Sequence, residues 1–387
     1  MRAHWVRMCI ILLSIIFVLT GCWDMKTIQD VHYVNGIGID YKDGKYIVYN
    51  QIVDFSSVAK QEAGKPSQAA MEWTGHEEGE TINEAFGKII QTSQQRIYLG
   101  HVSALLLTES ALRRGISVIT DSLLRFHENR VSMWTFVTKE PIDEIFATPA
   151  FFNLSSLSSV MHQPLETYQQ LSSIRPTYLF DVIHDNREPG KTLLLPSLSI
   201  TKEIWNKNNK PESKLFVDGA IAIRENKVQK SFSEKELRGN RWLENSTSIV
   251  IIQLVKEGKT VGTVSVTNPN ATIKPIVSDN EVSFELSIHA KGIMQEMIEP
   301  LDETTFEEET VKAIREEIER TFNIGQKAGV DIYGLEHELY RKNFHAWSRL
   351  TDNGSHKLQH YSLGTIEVKV KLEHTGMFNT NEKKKDY

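Results

Sequence analysis

Cysteine is nearly absent: the 387 residues hold two, Cys9 and Cys22. That excludes a disulfide-rich scaffold and a zinc site of four thiolates. A basic excess is also missing, with 44 Lys and Arg against 50 Asp and Glu and a formal net charge of −6. Nucleic acid is therefore not expected as the main partner. With 22 glycines, 11 prolines and 40% hydrophobic residues, the chain is neither collagen-like nor disordered. No apolar run after residue 20 approaches the ~20 residues of a membrane span. The longest, Ile249 to Val255, is interrupted by Gln253 and stopped by Lys256. At roughly 100–200 residues per domain, the length allows two or three domains.

The N-terminus is where the composition departs from its average. Arg2 and Arg7 precede an apolar run, Met8 to Thr20, and no acid occurs before Asp24. This is the build of a secretory signal. The run ends at Leu19-Thr20-Gly21-Cys22, which resembles a bacterial lipobox. Cleavage between Gly21 and Cys22 would leave Cys22 N-terminal, its sulfur carrying a diacylglyceryl group and its amine a further acyl chain such as palmitate. An uncleaved single-span anchor and an ordinary cleaved signal are the alternatives. The mature chain would keep 42 basic and 50 acidic residues. Two or more acyl chains hold a protein firmly at a bilayer, where one gives only marginal binding.

The body reads as α+β, multi-domain, with mixed and antiparallel sheets and packed helices. Val31 to Ile39 and Tyr46 to Val53 predict a hairpin around Lys42-Asp43-Gly44. Residues 59–70 read as a loop. Thr81 with Glu84 predicts a capped helix whose apolar face is Ile82, Ala85, Phe86, Ile89 and Ile90. Strands are expected at 102–108 and 131–138 and one helix over 109–126. Short helices and loops are expected over 150–200. A further strand is expected at Ala220 to Arg224 and a helix over 234–242. Alternation predicts strands at 282–288 and 366–372. Val311, Ile314, Ile318 and Phe322 predict an amphipathic helix. The polar segment NKNNKPES reads as a linker, giving a signal peptide at 1–21, an N-terminal domain at 22–205, a linker at 206–214, a C-terminal domain at 215–378 and a polar tail at 379–387.

Catalytic chemistry is not legible. Gly36-Ile37-Gly38 lacks the third glycine of a dinucleotide fingerprint, since Tyr41 stands there, and close packing in a strand is the expectation. There is no Walker A sequence and no G-x-S-x-G elbow. His356 and His360 sit among turn residues. His337 and His345 do not form H-E-x-x-H. Glu307, Glu308 and Glu309 read as a first helical turn, where acids suit the dipole. The seven tryptophans are scattered. No catalytic residue, metal site or cofactor is expected.

Several short stretches together resemble one family. They are Cys22-Trp23-Asp24, Asn35-Gly36-Ile37-Gly38-Ile39-Asp40, Gly100-His101 before Ala104 to Leu107, Glu109, and Arg125 with Glu128 and Arg130. They continue with Asp218-Gly219-Ala220-Ile221-Ala222, Phe232 to Leu243, Asp331-Ile332-Tyr333-Gly334, Trp347 and Thr375-Gly376. In this order they resemble the Ger(x)C family, the lipoprotein C subunits of spore germinant receptors. The segment Asn343-Phe344-His345 departs from the pattern, which has a proline near the tryptophan. The resemblance implies a fold unlike the common superfolds and no catalysis. It implies two integral-membrane partners, the A and B subunits, and lipid anchoring on the cortex-facing side of the spore inner membrane. A solute-binding lipoprotein of a membrane importer is the alternative. It would need two α/β lobes around a cleft. An anchored cell-wall hydrolase would need paired carboxylates or a metal site.

Overall fold

The computed structural model describes residues 4–5, 31–53, 71–299 and 302–373. Cys22 and Gly21, the loop at 59–70 and the polar tail at 379–387 lie outside the described residues.

Strands β1 (Val31–Lys42) and β2 (Lys45–Val53) form the expected hairpin. Asp43 and Gly44 take φ of 51° and 83°, the double positive φ that a two-residue turn of type I′ requires. Strand β3 (Glu72–Gly79) adds antiparallel to β2. Helix α1 (Ile82–Thr92) follows, with Thr81 Oγ1 accepting the Glu84 N–H at 3.1 Å. The Glu84 carboxylate reaches back to the Glu80 N–H rather than to that of Thr81. Ile82, Ala85, Phe86 and Ile89 are buried. Ile90, assigned to the same face, is 46% exposed, because one residue beyond Ile89 is a rotation of about 100°.

Next come β4 (Arg96–Tyr98) and β5 (Ala104–Thr108). The single helix expected over 109–126 is two, α2 (Glu109–Arg113) and α3 (Ile116–Leu124), parted at Gly115 with φ of 106°. Strand β6 (Trp134–Thr138) starts three residues after Val131, where the strand is expected to begin. Short helices then cover 142–185: α4 (Ile142–Phe146), 3₁₀ turns at 151–153 and 156–158, α5 (Pro164–Gln170) and α6 (Leu179–Asp185). Strand β7 (Leu193–Thr201) stands where short helices and loops are expected.

The segment read as a linker is instead a tight hairpin of β8 (Asn206–Lys207) and β9 (Lys210–Pro211). Asn208 and Asn209 turn it with φ of 52° and 63°, a conformation asparagine tolerates. Strand β10 (Lys214–Arg224) returns antiparallel to β7, and β11 (Lys227–Ser233) pairs with β10. The first sheet therefore continues through 206–214 to residue 233. Its order is β11-β10-β7-β6-β5-β1-β2-β3, with β4 also on β1. The middle strands β1, β5, β6 and β7 run parallel, and antiparallel hairpins close both sides.

The helix expected over 234–242 is a pair of 3₁₀ turns, at 234–236 and 238–242. A second sheet follows: β12 (Ile249–Lys256), β13 (Lys259–Ser278), β14 (Glu281–Met297) and β15 (Tyr361–Glu373), in that order, with β15 parallel to β14. Helix α7 (Glu303–Ala328) covers it, followed by α8 (Leu335–Lys342) and α9 (Phe344–Thr351). Asp302 caps α7 by accepting the Thr305 N–H at 2.9 Å, and Gly329, in the left-handed region, ends it. Phe306, Thr310, Ile314, Ile318, Thr321 and Gly325 form its buried stripe, spaced to return to one face every turn.

Strand β10 is a shared wall. Ile221 and Ile223 belong to the core beneath α1, α2 and α3, with Leu105, Leu107 and Ile119. Ala220 and Ala222 belong to the core beneath α7, with Trp242, Ile252 and Ile318. Alternation along one strand thus places two cores back to back.

Candidate functional site

The glycines at 36 and 38 are packing positions. A Cβ on Gly38 would lie 2.6 Å from Ile142 Cγ2, and one on Gly36 2.9 Å from Gln51 Oε1. Helix α4 therefore lies directly on β1. Asp40, which closes the same stretch, accepts the hydroxyls of Thr108 and Ser110 at 2.5 and 2.6 Å and fixes the entry to α2. Gly100 turns tightly beneath the Tyr98 ring. Glu128 holds the Arg96 side chain and the Leu99 N–H. Gly219 lets the Phe232 carbonyl approach β10, and Gly239 lets the Glu317 carbonyl of α7 approach the 238–242 turn. Glu236 closes a capping box with Ser233.

The isolated candidates scatter. Glu307, Glu308 and Glu309 lie in the second turn of α7, not the first, since the helix begins at Glu303. Glu307 accepts the Leu372 N–H at 3.4 Å and Glu309 pairs with Lys312. His356 and His360 are in turns. His337 is on α8, where its Nδ1–H donates to the Pro189 carbonyl at 2.9 Å, and His345 is on α9. Among the described residues no group of three His, Cys, Asp or Glu side chains could hold a metal.

Two buried polar centres escaped the sequence reading. The first joins Ser103, His162, Gln51 and Glu72 under the first sheet. Gln51 Nε2–H donates to the Phe146 carbonyl at 3.0 Å, which leaves its Oε1 to accept the His162 Nε2–H at 3.1 Å. His162 Nδ1 is then bare and accepts the Ser103 hydroxyl at 2.6 Å. A serine on a bare imidazole nitrogen invites comparison with an activated nucleophile. Burial, however, pushes the His162 pKa down to about 3. Such a ring is a poor proton acceptor at neutral pH. The cluster ties the 151–163 segment to the sheet, and Glu72 completes it by accepting the Ser156 N–H at 2.6 Å.

The second centre is the joint between the two cores. Arg224, at the end of β10, binds both oxygens of Glu336 on α8 at 2.8 Å, with both side chains almost fully buried. The Leu358 N–H donates to Glu336 Oε2 at 2.9 Å, and Trp347 Nε1–H points at Oε1 from 3.4 Å. Asp331 accepts the Glu336 N–H at 2.8 Å and so caps α8, and burial pushes its pKa up to about 6. A cavity of about 30 Å³ lined by Arg224, Asp331, Glu336, Lys357 and Tyr361 separates the halves, room for a single water. Nearby, Arg241 and the Trp242 indole both donate to Glu317 of α7. Both carboxylate oxygens of Glu336 are occupied, by Arg224, the Leu358 N–H and the Trp347 indole, so this centre braces β10 against α8. Asp331-Ile332-Tyr333-Gly334 and Trp347 thus act at the joint.

Fold and polar centres define a two-domain protein with mixed sheets whose buried polar groups brace an assembly. Residues 24–200 match the family described as the spore germination protein N-terminal domain. Residues 218–376 match the spore germination B3/GerAC-like C-terminal family. Spore germination protein KC of Bacillus subtilis (strain 168) is 23% identical over 97% of both chains. Spore germination protein B3 of the same strain is 22% identical over 85% of this chain and 84% of that one. The crystal structure of the GerBC protein superposes with a TM-score of 0.51 at 15% identity, covering 89% of this chain and 99% of that one. The chain belongs to the Ger(x)C family of spore germination proteins, and it is not an enzyme.

Proposed function

We propose that this protein is the lipid-anchored C subunit of a nutrient-germinant receptor. It is held through acyl groups on Cys22 at the cortex-facing side of the spore inner membrane and docked on integral-membrane A and B subunits. The observation that carries this reading is the span of the two germination families, from residue 24 to residue 376. They begin two residues after the lipobox cysteine. No helix among the described residues is long and apolar enough to cross a membrane. Attachment would therefore fall to the acyl chains, which raise the effective concentration of the domain at its partners. The importer alternative calls for two α/β lobes flanking a cleft. Here one core is α/β and the other is a four-stranded sheet under one long helix, and both share β10.

The test is germination of spores lacking the gene, followed as loss of optical density across a nutrient panel in a background without related receptors. Loss of the response to one nutrient class, with non-nutrient germination intact, is expected. Cys22→Ala should lose most of that response, lose lipid labelling and accumulate as precursor. An unchanged response to every nutrient would reject the receptor role.

A further inference from the structure

Pairing in the first sheet puts Ile39, Leu107, Val137 and Ser197 in one row across the parallel strands. Val31 lies eight residues before that row along β1, and Trp205 eight residues beyond it along the path out of β7. The two therefore leave the sheet at opposite ends. The end where β1 begins also receives the start of β3, because Trp73 pairs with Ile52 and Ile52 with Val34. Strand β4 is there too, with Tyr98 beside Tyr33. So is the loop entering β6, with Val131.

This end is apolar and aromatic at its surface. Met71 is 63% exposed, Trp73 67% and Val131 40%. On the other side of Val31 the Tyr33 ring packs edge-on against Tyr98 and His101, at centroid distances of 5.8 and 4.9 Å. Arg130, next to Val131 in the chain, is exposed. Tryptophan and tyrosine favour the boundary between hydrocarbon and water, and arginine favours anionic headgroups. Only eight residues lie between Cys22 and Val31, a reach of at most about 30 Å over the nine steps.

We propose that this end of the first sheet rests on the bilayer that holds Cys22, with Met71, Trp73, Tyr33 and Tyr98 at the interface. The inference builds on the acylated anchor proposed above and adds an orientation: β1 rises from the membrane, and the Trp205 hairpin points away from it. The short tether keeps the aromatic end close to the lipid, so that each weak apolar contact forms at high effective concentration. The domain then sits in one pose and does not swing on its anchor.

The near absence of cysteine supplies the test. Apart from Cys9, in the expected signal, and acylated Cys22, the chain has no thiol. One introduced cysteine can therefore carry an environment-sensitive fluorophore without competition. The full-length processed lipoprotein would be made as Met71→Cys, Trp73→Cys, Trp205→Cys and Val255→Cys. Each would be labelled and reconstituted in vesicles of phosphatidylglycerol and phosphatidylethanolamine. A lipid-borne quencher should remove roughly half the emission at positions 71 and 73, with a blue shift, and leave 205 and 255 nearly unchanged. Mass measurement and detergent partition of the same samples report the anchor separately. An acylated, vesicle-bound chain with silent labels at 71 and 73, or with equal quenching at 205, overturns the seating alone. A chain without acyl groups that leaves the vesicles overturns anchor and seating together.

Discussion

The two buried polar centres solve the same problem with opposite chemistry. Under the first sheet, the fully buried ionisable group is His162, kept neutral by burial and paired with neutral partners, Ser103 and Gln51, while Glu72 at the margin, its pKa raised by burial, is held by the Ser156 N–H. At the joint, charge is retained: Arg224 and Glu336 meet in a two-point pair, and Asp331 lies alongside. Both centres restrain segments far apart in sequence. Ser103 and His162 are 59 residues apart, and Arg224 and Glu336 are 112 apart. Losing one member of a neutral network leaves a buried donor or acceptor unpaired, at about 1–3 kcal/mol. A buried ion pair is unforgiving, because removing one partner leaves the other charged and dry. The comparison therefore predicts where the molecule is fragile. The first sheet should tolerate loss of its polar centre better than the joint does.

The largest expected effect is at the joint. Arg224→Met strands the Glu336 carboxylate and should destabilise the chain by about 3–5 kcal/mol, read by chemical denaturation. The double variant Arg224→Met with Glu336→Met removes both charges and should recover most of that loss. If the double variant is as unstable as the single one, the pair matters for shape and not for charge, and the contrast between the centres fails.

The pH responses should oppose one another. His162 has a folded pKa of about 3, below the ordinary 6.5. Its contribution is present above pH 6.5 and is lost as pH falls below that. The loss is about 2 kcal/mol by pH 5. Asp331 has a folded pKa of about 6, above the ordinary 3.8. Its contribution is present below pH 3.8 and is lost as pH rises through 6. Lowering the pH from 7 to 5 therefore gains about 1 kcal/mol from this group. The parent chain should show only a shallow net dependence between pH 5 and 7. His162→Gln should grow more stable as pH falls across that window, and Asp331→Asn less stable. Parallel curves for the two variants would show that these groups do not set the balance.

A third test concerns packing against the first sheet. Gly38→Ala places a methyl 2.6 Å from Ile142 Cγ2, and overpacking of this kind costs about 1–3 kcal/mol. Gly44→Ala meets nothing within 4 Å. Its cost should come only from the positive φ of the turn. Equal losses from the two would mean that α4 yields readily.

These centres were illegible in the sequence for a physical reason. The hairpin at 43–44, the cap at Thr81, the alternation over 282–288 and the stripe on α7 are set by neighbours within a few residues, and the periodicity displays them. His162 sits in a serine-rich stretch without period, and its partners come from β2 and the turn before β5. Nothing near Arg224 announces Glu336. NKNNKPES has the composition of a linker, and only its Asn208-Asn209 turn shows that it brings β10 back onto β7. Leu193 to Thr201 carries Pro196 yet is a strand, because it pairs along its whole length with β10, Pro196 opposite Ala220, while β6 meets it only at Ser197. The glycines at 36 and 38 were read correctly as close-packing positions, since a missing Cβ is a local property. Acylation at Cys22 is expected from the lipobox alone.

The smallest effects give the finest test of how the halves are coupled. Thr81 caps α1 over the first sheet, and Asp302 caps α7 over the second. Replacing either by Ala should cost about 1 kcal/mol. If β10, by lending its two faces to two cores, makes them one cooperative unit, each substitution lowers the same single denaturation midpoint. The two losses then add in the double variant, because the sites are far apart and share no partner. If the cores unfold separately, Thr81→Ala moves only the transition of the first sheet and Asp302→Ala only that of the second. Fluorescence separates the cases: Trp134 stacks on Tyr178 at the first sheet, while Trp242 lies in the core beneath α7. Coincident curves from chains that keep only Trp134 or only Trp242 among the core tryptophans mean that the joint transmits a loss in one half to the other. Divergent curves mean that Arg224 and Glu336 hold two independent bodies together without making them one.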